Sequence, residues 1–183
     1  MEVRSTLARR LGKTEHTSPL RFRLEALRRA YPIGRTACLE DWLIATANAR
    51  RARVVTPLHE EGRDGSPPPQ SLLDDAELVV AMCQLNCLDR PQMLRLAAQL
   101  VSRGELDFPR LRRAAIRERA EPVLAELSRQ ALKVAPDHAA WRKVHDMFCD
   151  QRPLREPLVH WTRLAAPVME RGKPNAVAWR LVA

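Results

Sequence analysis

Two pairs of residues in this chain have the types and spacing that could hold a metal. Cys83 and Cys87 lie four apart and would share one face of a helix, and His145 and Cys149 repeat that spacing further along. Together they could supply the three thiolates and one imidazole of a closed structural zinc site. Zinc motifs usually set paired cysteines closer together on a tight turn, however, and the segment around Cys83 reads as apolar on every side. Ordinary core packing is the expected role, and no cofactor or metal is expected. A nucleophilic Cys/His pair is weaker still, because nothing beside Cys149 would stabilise a thiolate.

The remaining polar residues do not converge on a reaction. The six glycines form neither a phosphate loop nor a dinucleotide fingerprint, and no serine occupies a nucleophile elbow. Asp74 and Asp75 are adjacent, so on a helix they diverge by roughly 100° and read as first-turn acids that favour the dipole. His138 and His160 stand alone. An enzyme with an unrecognised site is therefore the third reading of the chain's function.

Arginine is the other residue type with chemical reach. Lys and Arg number 31 against 22 acids, a formal charge of +9, and lysine occurs only at 13, 133, 143 and 173. Residues 1–30 hold eight basic and three acidic side chains, residues 151–183 six and two, and residues 31–150 seventeen of each. A guanidinium matches phosphate or carboxylate bidentately. Arg4, Arg9, Arg10, Arg21, Arg23, Arg28 and Arg29 are the N-terminal candidates for an acidic partner or a nucleic-acid backbone. Arg110, Arg113 and Arg117 add a row at i, i+3 and i+7 on one helix face, with Arg112 and Arg119 on a second strip. The competing reading is a solvated face, partly neutralised by Glu118, Glu121 and Glu126. Few aromatics stand near these arginines, against a base-stacking platform. A helix–turn–helix over 91–119 also fails, since Gln99 and Leu100 fall where a small residue is wanted and Arg110 where burial is required.

The elements that must carry these residues are helices throughout. Apolar periodicity predicts helices over Val3–Leu11, Leu20–Tyr31 and Ala37–Arg53, with Arg50, Arg51 and Arg53 complementing the last helix's dipole. The stretch HEEGRDGSPPPQS, residues 59–71, cannot continue a helix and reads as a semi-rigid spacer. Beyond it the pattern predicts a nearly all-apolar helix over Asp74–Leu88, then one with Pro91 in its first turn that stops at Gly104. Further helices follow, capped by Asp107, opened by Pro122 and capped by Asp137. A last helix is expected over Glu156–Arg171, kinked at Pro167. The tail NAVAWRLVA is apolar enough to dock on the body or to pair as an edge strand.

The expected fold is all-α: an irregular bundle of short antiparallel helices, or else a short array of helical hairpins. The expected organisation is a basic N-terminal arm or subdomain over 1–58, the linker over 59–71, and a main domain over 72–183. No apolar run approaches a membrane span and no secretory h-region is present, so a cytoplasmic protein with reduced thiols is expected. The leading functional expectation is a non-enzymatic adaptor, antitoxin-like or accessory chain that binds a protein partner, with Trp179 and Leu181 of the tail as a second docking point. The runner-up is a DNA or RNA backbone binder of low sequence specificity.

Overall fold

The computed structural model describes residues 19–34, 36, 38–50, 52, 65–84 and 91–154, with the backbone of 168–170 and 173–175. The fold is an all-α bundle. Its helices are α1 (Pro19–Ala30), α2 (Leu39–Ala49), α3 (Asp75–Met82), α4 (Pro91–Ser102), α5 (Phe108–Glu118), α6 (Glu121–Val134) and α7 (Ala139–Phe148). A hairpin of two three-residue strands, Val168–Glu170 and Lys173–Asn175, pairs Val168 with Asn175 and Glu170 with Lys173. Residues 168–170 are thus extended where helical periodicity predicted the end of a helix. Three residues can satisfy an amphipathic template without making one, and the pairing settles them as strand.

Helix α3 lies at the centre, as an apolar run on every side requires. All residues from Ala76 to Met82 are buried, and α2, α4 and α5 pack around it. It ends at Cys83, earlier than the sequence pattern implied. The N-cap is Asp74, whose carboxylate accepts the Glu77 N–H at 2.8 Å. Helices α6 and α7 pack against each other and close the bundle against α4 and α5. There Trp141, fully buried on α7, donates its Nε1–H to Ser102 Oγ at 2.9 Å, and Ser102 donates on to the Ala98 carbonyl at 2.8 Å. His138 stands at the N-cap of α7 and makes no side-chain cap bond. Asp137, the expected cap, instead pairs with Arg142 at 2.5 Å.

The N-terminal helices share the same core. Leu20 and Leu24 of α1 and Leu39, Trp42 and Leu43 of α2 are buried in one hydrophobic cluster with the residues of α3 to α7. Trp42 Nε1–H donates to the Tyr31 carbonyl at 2.8 Å, which fixes the end of α1 onto α2. Residues 65–71 lie against these helices. Pro68 is buried, and Gly65 lies so close to the α1–α2 connection that a Cβ there would sit 2.0 Å from the Pro32 carbonyl oxygen. Its φ of +111° is also open to glycine and to few other residues.

Arg50 holds this junction together. Its side chain, only 7% exposed, donates to Asp75 Oδ1 at 2.7 Å, to the Pro68 carbonyl at 3.1 Å and to the Leu73 carbonyl. The Arg50 carbonyl in turn accepts from Arg103 Nη1 at 2.6 Å. One side chain therefore ties α2, the proline segment and α3 together, while its backbone reaches the end of α4.

Candidate interaction surface

The arginines predicted to bind have three different fates. Arg4, Arg9 and Arg10, with Trp179 and Leu181, lie outside the described residues. A second group is engaged within the protein. Arg21 pairs with Glu40 at 3.1 Å, Arg28 with Glu25 at 3.0 Å and Arg117 with Glu118 at 3.1 Å. Arg23 reaches Glu77 Oε2 at 2.5 Å, and Arg110 reaches Asp74 Oδ2 and, at 3.8 Å, the same Glu77 oxygen. Arg23 of α1 and Arg110 of α5 therefore clamp the first turn of α3 from two sides. Both remain about half exposed, at 44% and 47% of the side chain.

The third group has no carboxylate partner among the described residues: Arg29 on α1, and Arg112, Arg113 and Arg119 on and just after α5. All four are exposed. Helix α5 is built to present them. Asp107 caps it by accepting the Arg110 N–H at 2.9 Å, and Phe108 and Pro109 open the first turn. Leu111, Ala114, Ala115 and Glu118 are buried, so Pro109, Arg113 and Ile116 run along the outer crest. Arg112 and Arg119 lie on one flank of that crest and Arg110 and Arg117 on the other.

Ile116 is the residue that periodicity missed. It is 53% exposed, and its helical neighbours at i−4, i−3 and i+3 are Arg112, Arg113 and Arg119. The signal that could have found it is an apolar residue at a position out of phase with the Leu111–Ala115 stripe. Phe108, half-buried at the start of α5, carries the Lys143 ammonium of α7 over its ring at 5.1 Å, which extends the cationic flank. On α1, Phe22 is exposed to 67% with Arg29 seven residues on, along the same face.

Arg119 adds backbone strain to this patch. It has φ +57° and ψ +39°, the left-handed conformation that glycine adopts at little cost. The cap is a Schellman turn, with the Ala120 N–H on the Ala115 carbonyl at 2.9 Å and the Arg119 N–H on the Ile116 carbonyl at 3.3 Å. Arg119→Gly is expected to stabilise the free protein by about 0.5–1 kcal/mol, after loss of a helix-end cation is set against relief of the strain. Urea denaturation checks this, and a variant less stable than the parent would show that the arginine's charge outweighs its backbone cost.

The other chemical candidates disperse. Among the described residues no three His, Cys, Asp or Glu side chains gather to hold a metal. Cys83 is buried at the end of α3, while Cys149 is exposed and directs its thiol to the Asp146 carbonyl at 3.6 Å. Cys87 lies outside the described residues. Cys38 precedes α2 at its N-cap. Burial pushes its thiol above the usual range, and the carboxylates of Asp41 and Glu40 add to that against one backbone hydrogen bond at Asp41. Burial would likewise raise the Glu40 carboxyl. The bonds it accepts from its own backbone N–H, Cys38 and Arg21 outweigh this and hold it below the usual range. Helices α4 and α5 both pack on α3 rather than on one another, unlike the two helices of a helix–turn–helix unit. Among the described residues no helix is long and apolar enough to cross a membrane. No protein-family model, curated protein or solved structure matches the chain.

Proposed function

We propose that this chain is a non-enzymatic helical interaction protein, an adaptor or accessory chain that docks a negatively charged protein partner through the outer faces of α5 and α1. The observation that carries this reading is Ile116, a large apolar side chain left open to solvent inside a ring of arginines without partners among the described residues. Arginine and aromatic side chains are enriched at protein interfaces, and a phosphate backbone offers nothing for an isoleucine to cover. Phe22 beside Arg29 repeats the combination on α1.

A second reading has its own observation. Arg23 and Arg110 meet at one carboxylate oxygen of Glu77, so the basic faces of the N-terminal helix and of α5 adjoin. A nucleic-acid backbone could follow such a join, with affinity that collapses as salt displaces it. Affinity capture from a lysate of the source organism, with and without nuclease, separates the two. The protein-partner reading predicts a bound protein that survives nuclease and is lost from an Arg112→Glu/Arg113→Glu variant of unchanged melting temperature. Retention of nucleic acid alone, lost in the same variant, contradicts it.

A further inference from the structure

Arg21, Arg23, Arg28, Arg110 and Arg117 each reach a carboxylate of the same molecule, whereas Arg112, Arg113 and Arg119 around the crest of α5 reach none among the described residues. Arg112, Arg113 and Arg119 carry three like charges within two helical turns, a crowding that is unfavourable in the free protein. Arg119 does so in a left-handed conformation that most side chains avoid. Ile116 sits in their midst, more than half exposed although arginine stems can cover apolar surface. Phe108, half-buried against the core with Lys143 over its ring, leaves a second and smaller apolar edge two turns before Ile116. The result is a stripe in which cations flank two apolar anchors eight residues apart. At a rise of 1.5 Å per residue that separation is about 12 Å, and two turns of an opposing helix span roughly the same length.

Resting on the protein-partner reading, we infer that this stripe takes an acidic amphipathic helix. Its apolar side chains, at i and i+7 or i+8, cover Ile116 and Phe108, and its flanking Glu or Asp side chains pair with Arg112, Arg113, Arg119 and Lys143. Charge complementarity names the occupant's sign, and the spacing of the anchors names its conformation. A nucleic acid would meet the arginines and leave Ile116 bare. A second copy of this chain, basic on the same face, would meet its own charge.

The test uses the full chain and a fluorescein-labelled, capped peptide of roughly 16 residues. The peptide is rich in Glu and Ala, with Leu at i, i+4, i+7 and i+11. Its scrambled isomer, of equal charge but without an apolar face, and a duplex DNA are run beside it. At about 150 mM salt the amphipathic peptide is expected to bind with a Kd on the order of 10 µM, and the isomer at least about tenfold more weakly. Ile116→Ser, which removes the apolar side chain without adding charge, and, separately, Arg112→Glu/Arg113→Glu should each weaken the peptide about tenfold or more. Both variants change exposed side chains, and an unaltered thermal melt ensures that the loss reports the surface. Equal binding of the two isomers, or an Ile116→Ser variant that binds as the parent does, overturns the amphipathic-helix inference while leaving an acidic partner in place. No peptide binding together with tight duplex binding overturns both.

Discussion

Arg50→Ala is expected to destabilise the protein by about 3–5 kcal/mol, a large part of the roughly 5–15 kcal/mol that holds a domain folded. The side chain is almost fully buried and makes three bonds at once, to Asp75 and to the carbonyls of Pro68 and Leu73. Alanine would leave the mostly buried Asp75 carboxylate and both carbonyls without the guanidinium that joins them. That penalty exceeds what the bonds contribute net, because an orphaned buried group carries its whole desolvation cost. Arg50→Lys should recover only part of the loss, since one ammonium cannot reach three acceptors that a planar fork spans. Chemical denaturation followed by tryptophan fluorescence reads both variants. An alanine variant within about 0.5 kcal/mol of the parent, the range of an ordinary surface substitution, would mean that Arg50 is not the tie between α2 and α3.

Trp141→Ala should cost a similar amount, about 3–5 kcal/mol, through a different mechanism. The indole is fully buried where α7 meets α4, and removing it opens a cavity against close-packed neighbours. Its Nε1–H also feeds the Ser102–Ala98 hydrogen-bond chain. Trp141→Phe separates the two contributions: it keeps most of the volume, loses the donor, and is expected to cost about 1–2 kcal/mol. Equal costs for phenylalanine and alanine would assign the whole effect to the hydrogen bond rather than to packing.

Most of the helical architecture is legible in the residue pattern because caps and periodicity agree there. Asp107 with Pro109 starts α5, Gly104 stops α4, and Leu94, Ala97, Leu100 and Val101 are buried as their spacing requires. The all-apolar run of α3 correctly marks the centre of the bundle. Local rules fail where a tertiary contact decides. Residues 65–71 look like a spacer by composition, yet Arg50 supplies the donors that hold the Pro68 and Leu73 carbonyls and dock the segment. Asp137 has the chemistry of a cap but finds a guanidinium instead.

The arginines illustrate the same limit at the surface. Charge and spacing mark Arg21, Arg23, Arg28, Arg110 and Arg117 as candidates, but no pattern within one helix reveals Glu77 waiting between two of them. Arg113 comes from the same row as Arg110 and Arg117, yet it has no internal carboxylate among the described residues. Arg112 and Arg119, assigned only to a secondary strip by their spacing, become central because they surround Ile116. An exposed isoleucine is invisible to a search for chemistry. It becomes informative only when the structure shows which side of the helix is covered.

The most direct test of the proposed role is fluorescence anisotropy with labelled duplex DNA and RNA, titrated at about 50 mM and about 200 mM salt. A protein-docking surface predicts at most weak binding at low salt and none in the submicromolar range at the higher concentration. Submicromolar binding at about 200 mM salt, abolished by Arg112→Glu/Arg113→Glu but indifferent to Ile116→Ser, would contradict it and make the surface a nucleic-acid one.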